Sequence, residues 1–407
     1  MPHKYAIVIP DGAADEPIES LGGKTPLQAA HTPEMDAIAR EGVLGRSKNV
    51  PDRFLPGSDV ATLSLFGYDP EVVFTGRAPL EAAAAGVPLG PDDWAVRCNL
   101  MTIRDGRLSD FTAGHITSEE GRILMDALQR KLGRPEIEFF PGVSYRNLMI
   151  YRGAGRPAPF GGDTRTTPPH DQPDQPADDY LPRGAGSDLL RELIAAGAEV
   201  VRDHPVNRDR LARGKPPANA IWLWGQGMAP RLPSFRSLHG LKGAILSAVD
   251  LVRGVGILAG WDRVDVPGAT GYLDTDYAAK GHHGIAALKD HDIVCVHVEA
   301  PDEASHEGRA DAKVEALERI DREIVGPLRR AIDAQGGRIL VSPDHATLVR
   351  TKAHDRAWVP WAMAGAGLTG SGRPYDETSA LEAGGPALDK GYKLMNVFLE
   401  IQEKLKN

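Results

Sequence analysis

Cysteine is nearly absent: Cys98 and Cys295 are the only two in 407 residues. They lie far apart, each inside an apolar run, which points to buried reduced thiols in a reducing compartment. That scarcity argues against a disulfide framework and a thiolate zinc site. Long hydrophobic runs are missing too, since no stretch approaches the roughly 18 apolar residues of a membrane span. The apolar run in "MPHKYAIVIPDGAADE" is far too short for a signal peptide and stops at Asp11. A surplus of basic charge is also lacking. With a net charge of −9, no cationic stripe is available to displace phosphate counterions, which excludes a general nucleic-acid binder. What remains is 42% hydrophobic and 25% charged, an ordinary globular composition. The expectation is a cytoplasmic protein of one large or two ordinary domains, without membrane or nucleic-acid partners.

"YAIVIPDG" (5–12) reads as a buried strand running into a turn. "HTPEMDAIAREG" (31–42) carries a helix start, with Thr32 as cap, Pro33 in the first turn and Gly42 closing it. Near the C-terminus "DHDIVCVHVEA" reads as a strand, "AKVEALERIDREIVGPLRRAIDAQGG" as helix and "RILVSPDHA" as a strand again. Strands alternating with helices predict an α/β fold with a mainly parallel sheet covered on both faces. The segment 153–186 holds seven prolines and no periodicity, so it reads as a long loop. An inserted domain is placed at 81–239, leaving 1–80 and 240–407 as a discontinuous main domain. "GVGILAG" (254–260) reads as a helix packed closely on the sheet, and no P-loop pattern occurs.

Chemistry-bearing residues gather after the predicted strands of the main domain. Asp11 follows the first; Asp302 and His306 follow "DIVCVHVEA"; Asp344 and His345 follow "RILVSP"; His354 comes ten residues after Asp344. In parallel sheets ligands collect beyond the carboxyl ends of the strands. Carboxylates and imidazoles meeting there fit a metal site of nitrogen and oxygen donors. Ser58, in "LPGSDVATLSLFGYDP", opens a predicted helix, where free amides and the helix dipole favour an anion. A serine hydroxyl needs activation to act as a nucleophile, and a metal can provide it. Taken singly, each residue has a plainer reading: Ser58 as a cap, Asp11 as a turn residue, the Asp–His pair as loop polarity. The joint pattern favours the metal site.

"IPDGAADEP", "LGGKTPLQAAHTPEMDAIA", "PGSDVATLSLFGYDP", "FTGRAPLEAA", "PDEASHEG" and "SPDHAT" resemble the cofactor-independent phosphoglycerate mutases in their archaeal-type form. That family lies in the alkaline phosphatase superfamily, and the resemblance covers nearly the whole chain. It implies an alkaline-phosphatase-like core carrying a smaller α+β insert that binds a small phosphorylated substrate. It implies two divalent cations, manganese by family habit, with magnesium, cobalt or zinc as alternatives. One would be held by Asp302, His306 and His354, the other by Asp11, Asp344 and His345, with Ser58 as bridging nucleophile. His115 in "FTAGHI" resembles the family's acid/base residue, and Arg146 in "VSYRNLMI" a phosphate or carboxylate contact. Lys280, Arg165, Arg77 and His170 are further candidate substrate contacts, each with a plainer reading as a surface charge or loop residue. The implied reaction interconverts 3- and 2-phosphoglycerate through a phosphoserine. Fragments such as "RCNLMTIRDG" and "AGHITSEEG" are also similar to a bacterial branch suggested to contain homoserine kinases. A phosphotransferase of that kind, or a metal-dependent phosphatase, is the alternative.

Overall fold

The run YAIVIP forms the strand Tyr5–Pro10, buried at every residue, near the middle of an eight-stranded sheet. In the computed structural model, which describes residues 4–400, the spatial strand order is Ala387–Leu388, Val43–Ser47, Val359–Gly365, Arg338–Val341, Tyr5–Pro10, Ile293–Val298, Gly243–Leu246 and Asp262–Arg263. Only Val359–Gly365 runs against the rest. The apolar, β-branched sequences suit strands buried on both sides. Ala6, Val8, Val294, Val296, Ile339 and Val341 form one face and pack with Met35, Ile38, Leu317 and Leu328 from the helices Pro33–Glu41, Ala310–Ile320 and Gly326–Asp333. The alternate residues Ile7, Cys295 and Leu340 face the other way and are equally buried. There the helix Asp250–Leu258 approaches so closely that a Cβ at Gly256 would lie 2.7 Å from Ile245. The α/β reading, with a mainly parallel sheet and helices on both faces, describes this unit.

Two local features differ from the sequence reading. Thr32 occupies the cap position of Pro33–Glu41, but its side chain makes no capping hydrogen bond. The amides of Glu34 and Met35 donate instead to Asp321, at 3.1 and 2.7 Å. A carboxylate outcompetes a hydroxyl at a helix N-terminus because it also meets the dipole. Asp321 reaches that position because the long C-terminal helix is broken by a π-turn, Asp321–Val325, before resuming at Gly326.

The second unit spans Thr75–Pro230, and the first comprises the chain on either side of it. The sequence places the seams at 81 and 239. The helix Ala78–Ala84 belongs to the insert because Ala78 and Ala82 pack with Ala95, Leu148 and Ile150. Phe235 belongs to the first unit because its ring meets Trp261 edge-on at 5.0 Å. The insert is α+β: Trp94–Arg104, Arg107–Asp110, Ile137–Val143, Arg146–Tyr151 and Ala220–Met228 pair antiparallel. Leu124 and Leu128 of Ser118–Leu132, with Leu190 and Leu193 of Ser187–Arg202, bury one face of this sheet. The proline-rich stretch 153–186 is irregular apart from two short 3-10 turns.

Candidate active site

All seven proposed donors of the first unit meet beyond the carboxyl ends of its parallel strands. Asp11 follows Tyr5–Pro10, and Asp344 and His345 follow Arg338–Val341. Asp302 and His306 share one side of the helix Ala300–Glu307, and His354 lies on the hairpin strand Ala353–Asp355. Ser58 is the first residue of the helix Ser58–Leu65, and its hydroxyl caps nothing. Its Oγ lies 3.2 Å from Asp11 Oδ2 and 3.3 Å from His345 Nε2. One hydroxyl proton cannot serve both acceptors.

The buried carboxylates are under-satisfied. Asp11 Oδ1 and Asp344 Oδ2 are buried without a hydrogen-bond partner, and these same two oxygens lie 3.5 and 3.4 Å from His345 Nε2. Burial, with the Asp344 charge adding to it, pushes the Asp11 carboxyl well above its ordinary range. At the second triad, His306 Nε2 is 3.1 Å from Asp302 Oδ2 and 3.0 Å from His354 Nε2. His354 Nε2 is 3.4 Å from Asp302 Oδ1. Burial alone would raise Asp302, yet hydrogen bonds from His306 and His354 hold it well below the carboxylate range.

The imidazoles are oriented alike. His306 Nδ1 faces the Lys352 carbonyl at 2.9 Å, and His354 Nδ1 faces that of Pro56 at 3.2 Å. His345 Nδ1 faces the Ala346 carbonyl at 3.3 Å and Thr347 Oγ1 at 3.2 Å. A carbonyl only accepts, so each Nδ1 carries a proton, and each Nε2 is the atom that faces inward and can offer a lone pair once its own proton is displaced. His306 and His354 bring their Nε2 atoms within 3.0 Å of each other and both against Asp302, a convergence that a cation replacing their protons would satisfy. Ligand atoms of Asp11, Asp344 and His345, and of Asp302, His345 and His354, each fall within 4.8 Å of one another. Orphaned carboxylate oxygens and convergent lone pairs fit divalent cations with nitrogen and oxygen ligands.

Sequence reasoning missed two groups beneath this cage. His297 is wholly buried, and burial pushes its imidazole down to about 3. Its Nε2–H donates to Asp11 Oδ2 at 2.8 Å, and its Nδ1 lies 3.1 Å from the Ser247 hydroxyl. Glu299 lies beside it, pushed up to about 8 by burial. The apolar run that marked "IVCVHV" as a strand also hid the histidine within it. Lys280, expected as an anion contact, is only 1% exposed. Its ammonium donates to the His297 carbonyl at 3.0 Å and is pushed down to about 8 by burial. It sits inside the fold because its helix, Tyr277–Ala287, packs under the strand Ile293–Val298.

The second unit carries its own charged group. Arg97 is buried, paired with Glu81 at 2.9 Å, and its guanidinium lies 4.0 Å above Trp224. Burial first, opposed by Glu81 and reinforced by the like charges of Arg77 and Arg146, brings it down to about 10. Arg146 is exposed at the start of its strand and lies over Tyr145 at 5.2 Å. The His170 ring is 5.3 Å from Trp224 and 5.8 Å from Phe111, which in turn meets Tyr145 at 5.8 Å. Arg97, Arg146 and His170 are thus linked through aromatic faces, and Arg77 lies near enough for its charge to act on Arg97. Among the described residues, that chain of contacts does not include His115 or Arg165. His115 is exposed on a turn at φ 48°, and Arg165 is exposed and pairs its backbone with Arg183.

A family model described as 2,3-bisphosphoglycerate-independent phosphoglycerate mutase matches residues 39–207. A relative of that name from Methanosarcina acetivorans is 48% identical over 401 residues, covering 98% of this chain and 100% of its own. A probable enzyme of the same name from Geobacter sulfurreducens is 47% identical over 408 residues, covering 98% of this chain and 100% of its own. Among solved structures, a protein from Pyrococcus horikoshii is 29% identical with a TM-score of 0.83, covering 98% of this chain and 97% of that one. A cofactor-independent phosphoglycerate mutase from Thermoplasma acidophilum is 26% identical with a TM-score of 0.67, covering 98% and 99%.

Proposed function

The chain belongs to the 2,3-bisphosphoglycerate-independent phosphoglycerate mutase family, a family of isomerases, and on that premise we propose that Ser58 carries the phosphoryl group between the two hydroxyls of glycerate. One observation carries this reading: the Ser58 hydroxyl stands between Asp11 and His345, at the meeting point of buried carboxylate oxygens that lack partners. Two divalent cations, manganese by our assignment, would lower the pKa of the hydroxyl and polarise the phosphoryl oxygens. Asp302, His306 and His354 would hold one of them, and Asp11, Asp344 and His345 the other.

The chain's own residues supply the rest. Ser58 heads a helix, so the positive end of the helix dipole favours the charge that develops during transfer. His297 fixes the Asp11 carboxylate from behind, leaving Oδ1 turned inward. Ser58 Oγ attacks phosphorus, the bond to the 3-oxygen of 3-phosphoglycerate breaks, and glycerate stays bound. The 2-oxygen then attacks the phosphoserine and regenerates the Ser58 hydroxyl. We assign proton transfer between these oxygens to His115. The second unit would bind the substrate, with Arg77, Arg146, Arg165 and His170 contacting its carboxylate or phosphate, a task that suits the planar guanidinium fork. Arg97, which the sequence did not single out, joins that group.

Acid quenching of manganese-loaded protein turning over 3-phosphoglycerate, with no bisphosphoglycerate present, should trap phosphate on the peptide containing Ser58. Ser58→Ala should keep its fold and lose several orders of magnitude in rate. A variant retaining more than about a tenth of the activity would remove Ser58 from the nucleophile role.

A further inference from the structure

Behind the donor cage lies a buried ion pair that the reaction scheme leaves unused. Lys313, on the helix Ala310–Ile320, is fully buried. Its ammonium donates to Asp15 Oδ2 at 2.8 Å, to the Thr347 carbonyl at 2.8 Å and to the Ala14 carbonyl at 3.4 Å. All three of its N–H bonds are therefore spent. Asp15 is equally committed. Its Oδ2 also accepts from the Val349 amide at 3.1 Å, its Oδ1 accepts from the Glu16 amide at 2.8 Å, and its own amide donates to Glu377 at 3.1 Å.

These partners belong to the segments that carry the donors. Residues 11–15 form the turn bearing Asp11, and residues 344–349 bear Asp344 and His345. Thr347, gripped by Lys313 through its carbonyl, pairs in register with His354. Its hydroxyl donates to Asp302 Oδ1 and faces His345 Nδ1. One ammonium thus touches both turns, and one residue further on, the contact reaches Asp302, His345 and His354. Burying two charges is a poor way to gain stability compared with apolar side chains of similar size, whereas a fully bonded pair fixes geometry.

We propose that Lys313 and Asp15 form a positioning pair, which holds the two donor-bearing turns in register so that the cage stands assembled for its cations. This inference rests on the metal-centre reading above. The pair touches no reacting atom; it acts through Thr347 and the backbone.

The test uses the full chain with Mn2+ alone as probe, titrated calorimetrically beside unfolding and steady-state measurements. Lys313→Met by itself strands a buried carboxylate, so the informative variant is Lys313→Met with Asp15→Asn. It should fold with native circular dichroism and bind Mn2+ about 10- to 100-fold more weakly, as when outer-shell partners of metal ligands are lost. Its kcat should fall and recover as Mn2+ is raised, while KM for 3-phosphoglycerate stays within about threefold. Wild-type Mn2+ affinity in the double variant overturns the proposal, whether or not its unfolding midpoint drops. If the double variant does not fold, Thr347→Val decides the matter. That change cuts the link to Asp302 while keeping the carbonyl that Lys313 grips, and unchanged Mn2+ affinity overturns the proposal. A wild-type chain that takes up no Mn2+ overturns the metal reading and this inference together. Binding by wild type with an unaffected variant overturns the inference alone.

Discussion

Substituting Gly12 by alanine adds one methyl group at the tightest point of the turn that carries Asp11. Gly12 has φ 61°, a region that costs an alanine about 1–2 kcal/mol. A Cβ there would lie 2.5 Å from Thr347 Oγ1 and 2.6 Å from Asp302 Oδ1, whereas ordinary contact begins at 3.4 Å. One or both groups must therefore retreat by up to about 0.9 Å, at a packing cost of roughly 1–3 kcal/mol. A displacement near 1 Å in a positioned group can cost about 100-fold in rate, so Gly12→Ala should lose about that much kcat and weaken Mn2+ binding. The control is Gly22→Ala: its φ of 69° imposes the same backbone cost, but nothing lies within 4 Å of the added carbon. Both variants would be assayed by coupled detection of 2-phosphoglycerate, with circular dichroism to verify folding. Gly12→Ala turning over within about threefold of Gly22→Ala would refute the argument that Asp302 must sit where the turn now leaves it.

Chelation should abolish turnover and manganese should restore it; activity that persists after verified metal removal would refute the metal centre. In the metal-free chain the hydrogen bond that His306 donates to Asp302 lifts its imidazole to about 9 from an ordinary 6.5. The pair then contributes stability that is complete below about 6.5 and lost as pH rises through 9. Mn2+ needs the neutral imidazole, so its affinity should rise over the same window. Urea midpoints of chelated protein and Mn2+ titrations should therefore slope in opposite directions, and parallel slopes would contradict the assignment. Asp321→Ala removes the acceptor for two helix amides and should cost about 1–2 kcal/mol in urea unfolding with kcat unchanged. Arg146→Ala, at an exposed position, should raise KM for 3-phosphoglycerate about tenfold or more without changing the unfolding midpoint; an unaltered KM would remove Arg146 from the substrate group.

Asp11, Asp302, Asp344 and His345 were legible as candidate donors because each follows a strand whose apolar run is a local signal, and parallel topology sends such strand ends to one place. Asp11, Asp344 and His345 needed no knowledge of distant contacts. Their supports did. His297 looks like any member of a buried strand until Asp11 is seen opposite it. Lys313 looks like a solvated helix residue until Asp15, 298 positions away, closes on it. Lys280 misled in the same manner, as its burial depends on a helix–strand contact that no window of sequence contains. Thr32 failed as a cap because an acid from a π-turn took its place, and neither the turn nor its reach is written near residue 32. In the second unit Arg77, Arg146 and Arg165 were visible singly, but Arg97 and the ring contacts through Trp224 and Tyr145 were not, since antiparallel pairing decides which rings adjoin.

The sheet order sets a timetable for synthesis. Tyr5–Pro10 is among the first segments made, yet both of its neighbours, Ile293–Val298 and Arg338–Val341, come late. At typical elongation rates of about 5–20 residues per second, the nascent strand waits roughly 15–60 seconds for its first partner. Thr75–Pro230 is contiguous and can close meanwhile, its antiparallel strands pairing as they emerge. For that interval a six-residue apolar strand, with no proline before its last position, stays open to any unpaired strand edge it meets. The first unit should therefore depend on chaperones at the ribosome, while the insert should not. A circular permutant opened in the irregular segment 264–276, which would bring Ile293–Val298, Arg338–Val341 and Tyr5–Pro10 closer in order of synthesis, should ease that dependence and raise soluble yield.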